Sequence, residues 1–297
     1  MIYEISGFGY NALIETETAT LIKLQKHDLE IIHQFPKEFS DSLYAGKLLA
    51  PWPNRIKNGT YHFEKKDYIV EINDKITNSA LHGLMSSTNW EVNQNQKDRI
   101  TLFCNLNASE GYPFILKMEM NYTLTNSGLK ITITTTNLSD ENCPYGVGFH
   151  PYFSLGDVKT VNSICLKIPT EQVYDSLSDS ILSINANNSA KNFYKFRKGS
   201  RIDNDHINQA FKINSIDKDT EIYSSLNHKK YLRPLRGVNW VHVYTLDYAP
   251  GNISRKAIAL EPMSCPPNSF NNKIDLLCIS PRSSHTFSFI LGADKVL

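Results

Sequence analysis

The sequence is short of several things, and each absence excludes a class of function. Charge of one sign is missing: 31 Lys and Arg stand against 30 Asp and Glu, for a formal net charge of +1. A polyanionic partner is therefore not expected. The short basic clusters Lys65-Lys66 and Lys229-Lys230 read as solvated surface rather than a nucleic-acid patch. No apolar run approaches the ~20 residues of a membrane-spanning helix. The opening segment MIYEISGFGYNALIE lacks a basic stretch followed by an apolar core, so no secretory signal and no membrane partner are expected. The cysteines, Cys104, Cys143, Cys165, Cys265 and Cys278, are odd in number and scattered without a C-x-x-C pair. That pattern argues against a disulfide framework and a zinc knuckle, and points to reduced thiols in a cytoplasmic protein. There is no phosphate-binding loop, no dinucleotide glycine fingerprint, no H-E-x-x-H and no G-x-S-x-G. Nucleotide-dependent and serine-hydrolase chemistry have no support.

What is present is strand signal. In ILKMEMNYTLTNSGLKITITTTNL, Leu116, Met118, Met120, Tyr122 and Leu124 share one face. After the Asn126-Ser127-Gly128 turn, Leu129, Ile131 and Ile133 form the facing row, as in a long antiparallel hairpin with one buried side. Further strands are expected at 67–72, 99–106, 163–169, 240–246, 256–261 and 285–291, the last with His285, Phe287, Phe289 and Leu291 in line. Helical periods are nearly absent; DHINQAF (205–211) is expected to form at most a turn or two of helix. Many strands with turn punctuation predict an all-β sandwich or barrel. The stretch from about 176 to 235 is poor in strand signal, and is read as a long ordered insertion within one domain covering 1–297.

Polar groups interrupt apolar strands in four segments. In LLAPWPNRIKNGTYHF, Asn54 and Arg55 lie between two prolines and a glycine turn; Arg55 suits hydroxyls or carboxylates, or anchors a loop. In NSALHGL, His82 precedes Gly83, where backbone or ligand can approach closely. In YGVGFHPYFSL, His150 ends an apolar, glycine-rich strand before Pro151, either as a satisfied core imidazole or as a proton donor at a cleft rim. In KAIALEPM, Ala257, Ala259 and Glu261 share a face, with Ile258 and Leu260 opposite; Pro262 is expected to stop or bend the strand at the carboxylate. A carboxylate so placed must be bonded, paired with Arg55 or Arg255, or used. His82, His150 and Glu261 are also the ligand types of a His₂Glu zinc site, but their positions carry no metal-binding spacing.

Taken in order, LLAPWPNRIKNGTYHF, NSALHGL with Trp90 downstream, GVGFHPYFSL, NWVHVYTLD and ALEPMSCPPNSFNN resemble the aldose 1-epimerase (mutarotase) family over most of the chain. The resemblance implies a large antiparallel β-sandwich, the galactose mutarotase-like supersandwich, with a sugar-binding cleft in its concave sheet. It implies Glu261 as general base at the anomeric hydroxyl, His150 as general acid at the ring oxygen, and His82 as a second histidine near both. Arg55, beside Asn54, would hold sugar hydroxyls. The family's substrate-binding aspartate aligns with Asn208 in the natural register against Phe211, with Asp205 as the alternative if the loop is longer. Such chemistry needs no cofactor and no metal, only a monosaccharide substrate, and a monomer or weak homodimer is expected. It asks for Glu261 ionised and His150 protonated in the resting site, each charge favouring the other. Trp52, Trp90 and Trp240 are either core or apolar platforms for sugar C–H faces. A hexose 6-phosphate substrate would call for further cations, with Lys47, Lys57 and Arg233 as candidates. A non-catalytic sugar-binding protein on the same scaffold is the remaining alternative.

Overall fold

Alternating burial drives the longest strand pairing. Leu116–Thr125 and Gly128–Asn137 pair antiparallel with Met120 opposite Ile133, Tyr122 opposite Ile131 and Leu124 opposite Leu129. Leu116, Met118, Met120 and Tyr122 are wholly buried while the residues between them reach solvent. Each such side chain contributes about 1.5–3 kcal/mol by leaving water, and a slip of one residue would reverse every one of them. Gly128 closes the turn at φ +126, where an added Cβ would sit 2.2 Å from the carbonyl oxygen of Leu291. A side chain is excluded there by both conformation and space.

The computed structural model describes residues 1–170, 172–183, 189–213, 218–224 and 228–295. Strand makes up 51% of the chain and helix 8%. Among the described residues the hairpin lies in a nine-stranded sheet with Arg99–Leu106 on one side and Ser284–Lys295 on the other. A twelve-stranded sheet carries Ala257–Met263 near its middle, flanked by Trp240–Tyr244 and, on the other side, by the short strands Tyr152–Ser154 and Gly148–Phe149. Both sheets are antiparallel in their pairings, and they share one apolar core. Ile258 and Leu260 from the larger sheet join the same cluster as Phe287, Phe289 and Leu291 from the smaller. The Phe149 and Phe289 rings meet across the layers with centroids 5.5 Å apart. This is the expected β-sandwich.

Three local expectations are corrected. Residues 205–211 do not turn into helix: Asn208–Lys212 is a strand paired with Trp240–Tyr244, because Ala210 and Phe211 are buried within the sheet. The stretch 176–235 is not a strandless insertion. It supplies Ser180–Ser183, Ser200–Arg201, Asn208–Lys212, Thr220–Tyr223 and His228–Pro234, divided between the two sheets, and its polar edge strands carry little hydrophobic alternation. Finally, the strand containing Glu261 does not stop at Pro262. It runs from Ala257 to Met263, with Val241 opposite Pro262 and Trp240 opposite Met263. What breaks is the ladder on its other side: pairing with Tyr152–Ser154 ends at Ala259 and resumes with Gly148 only at Met263. A proline, having no N–H to donate, fits such a gap.

Candidate active site

That gap is where the chemistry gathers. His150 and Pro151 fill the interval between the strands Gly148–Phe149 and Tyr152–Ser154. The backbone amide of His150 donates to the Lys47 carbonyl at 3.0 Å, and its carbonyl accepts from Gly46 at 2.8 Å, so the chain is pinned on both sides. The imidazole stacks on Tyr152 with ring centroids 4.9 Å apart and 21° between planes. This brings His150 Nε2 to 3.5 Å from Glu261 Oε1. Ala257 and Ala259, on the same strand face as Glu261, pack against Tyr152 and Phe35 outside the main core.

His82 arrives from a separate two-stranded ladder, Arg55–Lys57 with Ser79–Leu81. It sits at φ +63, and its neighbour Gly83 at φ +73 lies against Ala50, where a Cβ would come 2.1 Å from the carbonyl oxygen. Asn54 locks it twice: the His82 amide donates to the Asn54 carbonyl at 2.8 Å, and the Asn54 amide donates to His82 Nδ1 at 3.2 Å. With Nδ1 accepting, the neutral ring carries its proton on Nε2. The His82 and His150 rings lie edge to face, 5.3 Å apart. The ligand-type atoms of His82, His150 and Glu261 all fall within 4.8 Å of one another. A metal ion would nevertheless need a free lone pair on His82, and the Asn54 amide occupies the one at Nδ1 while the proton occupies Nε2. The donor set does not fit a metal as it stands.

Burial dominates the electrostatics. Glu261 and His150 are 2% and 4% exposed. Burial pushes the Glu261 carboxyl up to about 8, with Arg55 pulling the other way, and pushes the His150 imidazole down to about 3. His82 is also held well below its ordinary value by burial, then by the charges of His150, Arg55 and His242. The expected resting ion pair is thus corrected. Burial favours the neutral form of each group, raising the proton affinity of Glu261 and lowering that of His150, and so works against an ion pair at 3.5 Å. His150 Nδ1 and Glu261 Oε2 are buried with no hydrogen-bond partner among the described residues.

A cavity of about 330 Å³, within the ~300–1,000 Å³ of small-molecule sites, is lined by residues that neighbour this cluster. Asn54, Arg55, Asn208 and His242 are among its lining residues. Glu261, His150 and His82 are not; the wall meets them through His242, the cross-strand partner of Glu261, and through Asn54, which bonds His82. Arg55 reaches the cavity from a clamp: its Nε donates to Asp74 Oδ2 and Thr77 Oγ1, each at 3.0 Å, and Nη1 donates to Asn54 Oδ1 at 3.3 Å. Burial of Asp74 is outweighed by hydrogen bonds from Thr77 and the Arg55 charge, so its carboxyl stays below the usual range. Asn208 lines the cavity, whereas Asp205 does not and pairs with Lys195 at 2.7 Å.

The other sequence candidates lie elsewhere. Trp52, Trp90 and Trp240 are buried and line no part of the cavity; Trp240 Nε1 donates to Asp275 at 2.8 Å. Of the cations considered for a phosphate, Lys47 is bound to Asp41 at 2.8 Å and Arg233 to Asp219 at 2.8 Å on the opposite sheet. Lys57 alone of those three stands on the cavity wall. Sequence reasoning missed His242, Tyr174, Asp179 and Asn268. His242 had a readable signal, since alternation in Trp240–Tyr244 sends Val241 and Val243 into the core and His242 to the other face. Tyr174, Asp179 and Asn268 had none, because a turn and a strand end meet there: Asn268 donates to the Asp179 carboxylate at 3.2 Å and Tyr174 bonds the same group.

Comparison with known proteins bears on the fold and the family. The chain is 30% identical to the uncharacterized protein YihR of Escherichia coli over 98% of its own length and 93% of that protein. Its fold matches the GalM/aldose epimerase homologue of Caenorhabditis elegans with a TM-score of 0.85 at 19% identity, covering 100% of this chain and 99% of that one. A galactose mutarotase-like protein of Clostridium acetobutylicum matches with a TM-score of 0.81 at 20% identity and the same coverage. The profile of the Aldose 1-epimerase family spans residues 1–291, and the chain belongs to that family.

Proposed function

We propose that this protein is an aldose 1-epimerase that interconverts the α and β anomers of a free aldose by general acid/base ring opening. The observation that carries the reading is the buried Glu261–His150 pair, 3.5 Å apart, with His242, the cross-strand neighbour of Glu261, on the wall of a polar cavity. The sugar enters with its anomeric end inward, and Arg55, Asn54 and Asn208 hold its hydroxyls. Sugar binding draws a proton from Glu261 to His150, with Arg55 stabilising the carboxylate that results. Glu261 then takes the proton of the anomeric hydroxyl while His150 gives its proton to the ring oxygen. The bond between C1 and the ring oxygen breaks and C1 becomes an aldehyde. Glu261 is again protonated and His150 neutral, the state that burial favours. The C1–C2 bond rotates, the ring oxygen attacks the other face, and both protons return. His82 directs its Nε2–H toward the reacting oxygens. Each positioned acid or base contributes ~10²–10⁴-fold.

A free aldose is favoured over a hexose 6-phosphate because two of the three candidate cations are committed to Asp41 and Asp219. Polarimetry on freshly dissolved α-glucose and α-galactose tests the reading. Glu261→Gln should lower turnover by about 100-fold or more and still bind sugar. Unchanged turnover in that variant would remove Glu261 from the mechanism. Sugar binding without any acceleration by the wild type would leave a binding protein.

A further inference from the structure

No hydrogen bond among the described residues orients the His150 imidazole. Its Nδ1 is buried without a partner. Its Nε2 stands 3.5 Å from Glu261 Oε1, beyond the ~2.7–3.2 Å of an ordinary N–H···O bond. A histidine that moves protons is commonly aimed by a bond to its second ring nitrogen, and the terminal torsion of a histidine has only a broad preference of its own. Something else must hold the ring. Two aromatic neighbours do: His82 meets it edge to face at 5.3 Å and 74°, and Tyr152 lies face to face with it at 4.9 Å and 21°, an offset stack of favourable geometry. Turning the imidazole about its Cβ–Cγ bond would swing its plane out of that stack. Tyr152 is itself fixed. It pairs with Ala259, two residues before Glu261, and its carbonyl accepts from the His33 amide at 2.8 Å. The Phe35 ring meets it edge-on at 5.1 Å and 85°, and the His33 ring closes on Phe35 at 4.6 Å and 85°. Tyr152 is 1% exposed and lines no part of the polar cavity, and its hydroxyl bonds no described residue. Burial, then Glu261 and Tyr244, hold the phenol well above its ordinary value, so it stays protonated. What Tyr152 offers His150 is the face of its ring.

We propose that Tyr152 is a positioning residue for the reaction: its ring face sets the plane of the His150 imidazole, and with it the direction of Nε2, while Phe35 holds the tyrosine in place. The inference rests on the epimerase reading for the proton transfer that His150 performs. An aromatic stack here takes the part that a carboxylate or carbonyl plays for other proton-transferring histidines. The aromatic ring matters and the hydroxyl does not, so phenylalanine can replace Tyr152 where an aliphatic side chain of similar bulk cannot. Because Tyr152 and Phe35 belong to a small apolar cluster apart from the main core, the stack can be broken without emptying the space between the sheets.

The test compares wild type, Tyr152→Phe, Tyr152→Leu and Phe35→Leu, all as the full chain. Anomer exchange of glucose and galactose gives kcat and KM, and NMR of the His150 ring protons reads the stack directly, since a facing aromatic ring shifts them upfield. Tyr152→Phe should keep the upfield shift and most of the wild-type kcat. Tyr152→Leu should lose the shift and lower kcat by about 10- to 100-fold, with KM little changed. Phe35→Leu, which touches no catalytic group, should lower kcat in the same direction by a smaller factor, and it carries the comparison if Tyr152→Leu does not fold. Wild-type kcat in Tyr152→Leu, or in Phe35→Leu where that variant stands in, would overturn the proposal. So would a loss in Tyr152→Phe as large as in Tyr152→Leu, which would make the hydroxyl a chemical participant, or a loss confined to KM, which would make the ring a sugar platform. All three leave the epimerase intact. Absence of turnover in the wild type would overturn the epimerase reading instead, and the ring-proton shift would still decide whether Tyr152 orients His150.

Discussion

Replacing Glu261 by Gln should do more than stop the reaction: it should stabilise the folded protein at alkaline pH. The carboxyl is 2% exposed and its Oε2 has no partner among the described residues. Burial moves its titration from an ordinary 4.5 up to about 8. At about 1.4 kcal/mol for each tenfold change in proton affinity, keeping it ionised in the fold costs about 5 kcal/mol relative to the unfolded chain. Water entering the cavity relieves part of this, which makes it an upper limit. Because the folded value is raised, the folded chain holds a proton that the unfolded chain has released between pH 4.5 and about 8. The contribution of Glu261 to stability is thus most favourable below that window and falls steadily through it. Gln has no such term, and the depressed histidines nearby titrate in both proteins. Urea unfolding of wild type and variant at pH 5, 7 and 9 reads the difference directly. The variant's advantage should be larger at pH 9 than at pH 5 by at least about 2 kcal/mol. An advantage that stays constant over that range would show that Glu261 is solvated in the fold, and the argument for its raised proton affinity would fail with it.

Further outcomes follow from the same geometry. No proton is left on the pair when Glu261 ionises with His150 neutral, so kcat/KM should decline with unit slope above about pH 8. A profile flat to pH 10 would place the acid elsewhere. Arg55→Ala should raise KM by about 10-fold or more with a smaller change in kcat, because Arg55 lines the cavity; the reverse pattern would make its action on the Glu261 carboxylate outweigh its hold on the sugar. Gly83→Ala forces a Cβ to within 2.1 Å of the Ala50 carbonyl at a positive φ. It should destabilise the fold by about 3 kcal/mol or more and displace His82, as read by thermal unfolding and residual turnover. Wild-type stability and activity would show that the loop relaxes freely.

Much of the fold was legible because its signals are local. The hairpin from Leu116 to Asn137 shows its register, its buried face and its turn in consecutive residues. Phe287, Phe289 and Leu291 announce a buried strand in the same way. Glu261, His150 and His82 could be singled out because each stands at a break in an apolar run beside Pro or Gly, where local chemistry and backbone geometry are visible together. The polar strands between 180 and 234 were not legible, since sheet pairing rather than hydrophobic alternation holds them.

The sequence by itself determined the strand periods, the small residues around His82 and Glu261, and the family resemblance, all of which depend on neighbours in the chain. Only the tertiary structure decided that burial raises the proton affinity of Glu261, that the Asn54 amide fixes the tautomer of His82, and that Asn208 rather than Asp205 lines the cavity. Proton affinity depends on how much water surrounds a group and which charges face it. Those surroundings come from segments more than a hundred residues apart, and they exist only once the sheets have closed.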